Sequence, residues 1–212
     1  MRCLLSILIL LVIAGLCAQA PLWDFYNAPV SHSPMVTSPD YVYLSGSPGL
    51  IRINVSTQAI ERFYSFNSGL AMSQIYSLYY DSSGVLWIGG ENALVSFDGV
   101  STWQNHDLSA VFYPPGVINA ITKDAQGFLW LGSNNGLYKT DLVSWVRYSA
   151  FEVGLQNFNV TAVLVDHLNR VWAACSGSYG DLVCYDNGAW NLVGSHWNGI
   201  YYILQDQNQN IW

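Results

Sequence analysis

A repeated all-β fold is predicted by three observations. Residues recur at a spacing of about 42, Asp and Gly fall at fixed turn positions inside each recurrence, and the composition favours strands over helices. Only 10% of the 212 residues are charged, where about 25% is usual, while 51% are hydrophobic and 15% aromatic. Such a chain is not disordered, because disorder needs a polar, charged and aromatic-poor composition. It is not a coiled coil either, which would be rich in Glu, Lys, Ala and Leu. The formal net charge of −7 excludes a nucleic-acid binder, whose phosphate contacts need clustered Lys and Arg.

The recurrence is anchored on an Asp followed six residues later by a Trp: Asp81/Trp87, Asp124/Trp130, Asp166/Trp172 and Asp206/Trp212. Six residues before each Asp stands Ile75, Ile118, Val160 or Ile200. Gly84 and Gly127 follow the first two Asp by three residues, and Asn169 and Gln209 take that place in the later copies. Gly89, Gly132 and Ala174 follow the Trp by two. A second Trp closes three units, at 103, 145 and 190. An earlier copy has Tyr43 in place of the Trp, with Gly49-Leu50 six residues on.

Each piece of the unit has a physical reading. An apolar strand such as Ile75–Tyr80 runs into Asp81-Ser82-Ser83-Gly84. Asp suits the first position of a type I turn, where its carboxylate accepts nearby backbone N–H groups, and Gly suits the left-handed position that closes it. Asn is the next best residue there, which accounts for Asn169. A second strand, Val85–Gly89, carries the Trp; a polar loop leads to a third, Leu94–Phe97, and a turn to a fourth around Trp103. Four antiparallel strands per unit read as a blade of a β-propeller, whereas a β-sandwich would show no fixed repeat. The blades are expected at about 39–66, 74–106, 117–148 and 160–193, with the next starting over 198–212, so that about four blades and the start of a fifth are present. Seven blades of this size need roughly 290 residues. The expectation is therefore an incomplete propeller within a longer protein.

Before the repeats, Met1-Arg2, the apolar run Cys3–Leu16 and Ala18-Gln19-Ala20 have the pattern of a secretory signal peptide over residues 1–20, and 21–38 form a lead-in. A lipid anchor on Cys17 would need a smaller residue before it than Leu16. Without Arg2 the chain keeps six basic and fourteen acidic residues, a charge of −8. Cys175 and Cys184 remain in a compartment that permits a disulfide. If residues 176–180 form the hairpin loop, the two point to opposite faces of their sheet, and a bond would need rearrangement.

The runs Ile75…Asp81-Ser82-Ser83-Gly84-Val85-Leu86-Trp87-Ile88-Gly89…Ala93-Leu94 and Ile118…Asp124-Ala125-Gln126-Gly127-Phe128-Leu129-Trp130-Leu131-Gly132-Ser133…Gly136-Leu137 resemble two-component regulator propeller repeats. Gly69-Leu70 and Gly154-Leu155 resemble that family's linker between blades. The resemblance runs from about Tyr41 to Trp212 and is weaker in the first and fourth blades. It implies the exported sensor region of a bacterial hybrid two-component histidine kinase, a ligand-sensing propeller upstream of a membrane helix and kinase, with glycan breakdown products as common ligands. Its region here would be non-catalytic. A secreted propeller enzyme or lectin, and a purely structural or protein-interaction propeller, are the alternatives.

The repeated residues Asp81, Gly84, Trp87, Asp124, Gly127, Trp130, Asp166, Trp172, Asp206 and Trp212 are read as scaffold, because a residue required in every blade is structural. The Trp rings are expected between blades, each indole N–H reaching a loop carbonyl. The turns differ from a sialidase-type Asp-box, in which Gly lies two residues after the Asp. No catalytic pair of carboxylates emerges, and His32, His106, His167 and His196 lack metal-ligand spacing. No metal or cofactor is expected. Asn54-Val55-Ser56 and Asn159-Val160-Thr161 are glycosylation sequons, relevant only in a eukaryotic secretory pathway. Residues the repeat does not demand are the better binding candidates. On the face opposite the Asp turns these are Glu91, Tyr113, Asn134, Asn135, Tyr179 and Trp197. Amides and aromatics with little charge suit a neutral, polyhydroxylated ligand. The partners expected are a glycan or other small extracytoplasmic ligand and, through downstream regions, a second copy. The membrane enters only through a segment outside these residues.

Overall fold

A computed structural model describes residues 34–46, 48–108, 116–155, 157, 159–176, 180–197 and 199–212. The chain divides into two units, Met1–His32 and Ser33–Trp212, and the fold described is that of the second. The signal-peptide reading, Tyr113 and Tyr179 lie outside the described residues.

Sixteen strands build four antiparallel four-stranded sheets among the described residues. The first holds β1 (Met35–Thr37), β2 (Tyr41–Ser45), β3 (Leu50–Asn54) and β4 (Ile60–Phe63). The second holds β5 (Ser77–Tyr80), β6 (Leu86–Gly89), β7 (Ala93–Phe97) and β8 (Trp103–Asp107). The third holds β9 (Ile118–Lys123), β10 (Leu129–Ser133), β11 (Gly136–Thr140) and β12 (Trp145–Tyr148). The fourth holds β13 (Val160–Val165), β14 (Val171–Cys175), β15 (Gly180–Asp186) and β16 (Ala189–Trp197), and a one-turn helix α1 (Ala150–Val153) lies in the linker before it. Strands pair in chain order within each sheet, and the first strands lie side by side from blade to blade. This is a β-propeller in which the expected four blades are present, with residues 204–212 starting a fifth through the Gln205–Ile211 bridge. The first sheet begins at Met35, inside what the sequence assigns to the lead-in, because Met35–Thr37 pairs with Val42–Leu44.

Both faces of the second and third sheets are buried between blades, and for that reason β6 and β10 read as unbroken apolar runs. Three cores result. Tyr43 and Leu50 pack with Leu86, Ile88, Val95 and Phe97; Trp87 and Leu94 with Ile118, Leu129 and Leu131; Trp130 and Leu137 with Val160, Val171, Ala173 and Cys175. Each Trp thus faces the following blade, and its strand neighbours face the preceding one. Trp212, with no described blade after it, is 71% exposed.

The repeated Gly after the Trp is a packing residue. A Cβ on Gly89 would lie 2.2 Å from Ser77 Oγ and 2.8 Å from Ile118 Cγ2 of the next blade. In blade 4 the register Ala174↔Leu182 and Trp172↔Cys184 puts Cys175 and Cys184 on opposite sheet faces. Both are buried thiols with no disulfide between them, and burial pushes both thiols up.

Candidate functional site

The Asp turns form one face of the disc and act as a clasp rather than a reactive group. Asp81 Oδ1 accepts the backbone N–H of Ser83 (2.9 Å) and Val85 (3.0 Å), and Oδ2 accepts the Trp87 indole N–H at 3.0 Å. The same indole bond recurs at 2.9 Å in Asp124/Trp130, Asp166/Trp172 and Asp206/Trp212. The expected loop-carbonyl partner is corrected by this: the carboxylate that makes the turn also takes the indole. The closing residues have positive φ, +88° at Gly84, +90° at Gly127, +62° at Asn169 and +69° at Gln209. Lys123 reaches Asp81 at 2.8 Å, Lys139 lies 3.8 Å from Asp124, and Arg170 bonds Asp166 at 2.7 Å. Burial pushes the Asp81 carboxyl up, yet the bonds from Lys123, Ser83, Trp87 and Val85 prevail and hold it well below the usual carboxylate range. At Asp206 the bonds from Asn210 and Trp212 bring it down to about 2. Half of the six basic residues after residue 20 are therefore spent on the clasps.

Blade 1 has neither the Asp nor the Trp, and Arg52 takes over. Its guanidinium lies 4.5 Å over the Tyr41 ring, donates from Nη1 to the Gly99 carbonyl of blade 2 at 2.5 Å, and pairs with Glu61 at 2.6 Å. The turn between the third and fourth strands was expected, but its repeated Asn or Asp anchor was not identified from the sequence. Asn54, Asp98 and Asp141 each accept two or three following N–H groups through Oδ1. The Asn54-Val55-Ser56 sequon arises from this turn chemistry. The other sequon is structural too. Asn159 Nδ2 donates to Ser176 Oγ at 3.1 Å, and the Thr161 hydroxyl donates to the Ile200 carbonyl.

The opposite face carries the described candidates Glu91, Asn134, Asn135 and Trp197, and the linker at 116–117 gathers the first three of them. Asn92 Oδ1 accepts the Gly116 N–H at 2.6 Å, and Asn134 Oδ1 accepts the Val117 N–H at 2.8 Å. Glu91 bridges Val117 through its backbone. Glu91 and Asn134, from neighbouring blades, thus flank one linker residue. Both are exposed. Asn135 adjoins them, and its carbonyl takes Arg147 Nε (3.2 Å) and Nη2 (2.9 Å). Trp197 stands apart, at the end of β16, with its ring folded over Gly194. Near the inner strands Asn119 Nδ2 donates to Asn159 Oδ1 (2.9 Å) and the Val160 carbonyl (3.0 Å) of the next blade, as Ser77 Oγ does to the Ile118 carbonyl (2.8 Å). The only signal for these was a polar residue one or two places after the repeated Ile or Val. The described residues of this face include several amides and hydroxyls, suited to multiple hydrogen bonds. Among the described residues no His, Cys, Asp and Glu cluster could hold a metal.

The comparisons with known proteins agree with this geometry. None of the curated proteins matches the chain in sequence. Among solved structures, the extracellular domain of BT4673, described as a hybrid two component system of B. thetaiotaomicron, superposes with a TM-score of 0.69 at 18% identity, covering 85% of this chain and 26% of that one. The corresponding domain of BT3049 from the same organism gives 0.68 at 19%, covering 84% and 25%. Virginiamycin B lyase from Staphylococcus aureus gives 0.63 at 14%, covering 88% and 64%. The chain spans about a quarter of the two extracellular-domain structures, and at these identities the superposition shows the shared fold alone. The family profile described as "Two component regulator propeller" matches residues 69–92 and 113–135, which hold the Gly69-Leu70 linker, the Asp81/Trp87 clasp and the Asp124/Trp130 clasp. The chain carries two-component regulator propeller repeats.

Proposed function

We propose that the chain is the exported, ligand-sensing input region of a two-component signalling receptor, and that it does no chemistry of its own. The observation that carries this reading is the repeat match in blades 2 and 3, combined with the fold shared with extracellular domains of such systems. Export is supported by the leader pattern of residues 1–20, and no helix among the described residues is long and apolar enough to cross a membrane. The ligand is a neutral glycan or a similar polyhydroxylated molecule, held on the face of Glu91, Tyr113, Asn134, Asn135, Tyr179 and Trp197. Amide donors and acceptors there match hydroxyls, and an exposed Trp offers a stacking plane. Binding across adjacent blades biases their arrangement and so the domain that follows.

The test is calorimetry of the purified protein against neutral oligosaccharides. A saturable heat that Trp197→Ala weakens by about tenfold, roughly 1.4 kcal/mol, supports the reading. A folded sample that binds none of them overturns it.

A further inference from the structure

Blade 4 is longer than its neighbours at its outer hairpin. β15 and β16 have 7 and 9 residues, against 5 and 5 for β7 and β8 and 5 and 4 for β11 and β12. Asn187 and Gly188 join the two strands on the Asp-turn face, so the added length runs to the opposite face and ends there in Trp197. Pairing is irregular at that end. Gly180 faces Trp197 and Leu182 faces Gly194, so Asp181 alone stands opposite Ser195 and His196. Such a bulge re-aims the side chains beside it.

Two glycines leave the space that Trp197 occupies. A Cβ on Gly194 would lie 2.5 Å from both Cη2 and Cζ2 of the indole, so the ring fills the place of the missing side chain. A Cβ on Gly180 would lie 3.1 Å from the Trp197 carbonyl oxygen and 2.8 Å from Gly199 Cα. Neither glycine has a left-handed φ, so both are used for room rather than for backbone freedom. His196 has φ +65°, in the region that a residue with a Cβ rarely adopts. This left-handed step, two residues after Gly194, turns the chain so that the Trp197 ring comes back over it. Trp197 is 46% exposed and belongs to none of the three cores. The strain at His196 therefore serves no packing between the described blades.

We infer that Gly194 and His196 are positioning residues for Trp197, holding its indole in one orientation on the face proposed above to bind the ligand. An exposed side chain free to swing must be ordered when a ligand stacks on it, and that ordering weakens binding. Here the fold orders it in advance. The bulge and the left-handed residue aim the ring, and the Gly194 backbone stops it. Strained backbone persists where the surroundings over-determine it, and it clusters at binding sites. The use of the indole rests on the ligand reading; its placement does not.

Fluorine NMR of the whole chain labelled with 5-fluorotryptophan tests the placement without a ligand, the Trp197 signal being assigned through Trp197→Phe. Wild type is expected to give one sharp Trp197 signal. Gly194→Ala pushes the ring away and is expected to shift and broaden that signal; the half-exposed ring can swing outward, so Tm stays near wild type. His196→Gly removes the strain but frees the chain, so the signal broadens while Tm holds or rises. A residue that matters only for stability would move Tm and leave the signal alone. Calorimetry against cellohexaose, xylohexaose and mannohexaose follows. Both variants are expected to weaken whichever of these the wild type binds by about tenfold. A Trp197 signal unchanged in either variant overturns the inference, as does wild-type affinity with a displaced ring. Displaced signals with no hexasaccharide bound by the wild type support the placement and overturn the ligand reading instead.

Discussion

Replacing Asp124 by Asn separates a turn residue from a clasp. Asn is as good as Asp in the turn, and its Oδ1 keeps the N–H groups of Gln126 (3.1 Å) and Phe128 (2.9 Å). The second oxygen becomes an NH2 facing the Trp130 indole N–H, 2.9 Å away. Trp130 is 1% exposed, so no water takes over. A buried donor left without an acceptor costs about 1–3 kcal/mol. Loss of the 3.8 Å pair with the partly exposed Lys139 adds under about 1 kcal/mol. The expected loss is about 1–4 kcal/mol, a fall in Tm of roughly 2–16 °C for a domain of this size. Urea unfolding followed by tryptophan fluorescence measures it. Asp98→Asn is the control, since that carboxylate holds an exposed turn through backbone N–H groups on Oδ1 and the Thr102 hydroxyl. Its midpoint is expected to stay within error of wild type. A cycle with Trp130→Phe isolates the indole bond, with a coupling of at least about 1 kcal/mol. If Asp124→Asn and Asp98→Asn behave alike, the clasp reasoning is refuted and the Asp is only a turn former.

Other outcomes follow from the same contacts. Gly89→Ala forces Ile118 and Ser77 apart and breaks the Ser77–Ile118 bond, at a cost of about 2–3 kcal/mol; a neutral effect in chemical denaturation contradicts the close approach. Asn169→Gly eases the left-handed turn but removes the bonds to Ala125 N–H (2.7 Å) and Gln126 Oε1 (2.9 Å) in the neighbouring blade, for a net loss of about 1 kcal/mol; a gain in stability speaks against that bridge. His106 stacks on Trp87 at 5.7 Å and contacts Ser96 Oγ at 3.2 Å, with Lys123 and Asp81 on the same indole, and burial pushes its imidazole down. The unfolded chain therefore takes up the proton first. Stability holds above the ordinary value of about 6.5 and falls as pH drops below it. His106→Tyr, which copies the ring that Tyr148 stacks on Trp130, is expected to flatten the profile between pH 7.5 and 5.5. An unchanged slope would assign it elsewhere.

The period, the strand order within a blade and the turns were legible because they rest on local chemistry. Asp with Gly three residues on is a turn wherever it stands, and an apolar run with a Trp is a strand buried on both sides. The same locality made the missed anchors Asn54, Asp98 and Asp141 of the turn before each fourth strand recoverable in principle; their varied flanks hid them. Met35–Thr37 was misplaced for the opposite reason. Nothing in that segment announces a strand until Val42–Leu44 is there to pair with it.

By itself, the sequence determined that this is a repeated all-β chain with one Asp–Trp pair in every unit after the first, since a repeat registers the positions that successive blades require. Only the tertiary structure decided what those positions touch. The Asp holds the indole, Arg52 replaces the missing clasp in blade 1, and Asn134 and Asn92 fasten the linker at 116–117 on the candidate face. These partners lie 6 to 47 residues apart along the chain, and those between blades meet only once the blades stack. Local preferences carry no information about which side chain a neighbouring blade will bring within hydrogen-bond reach.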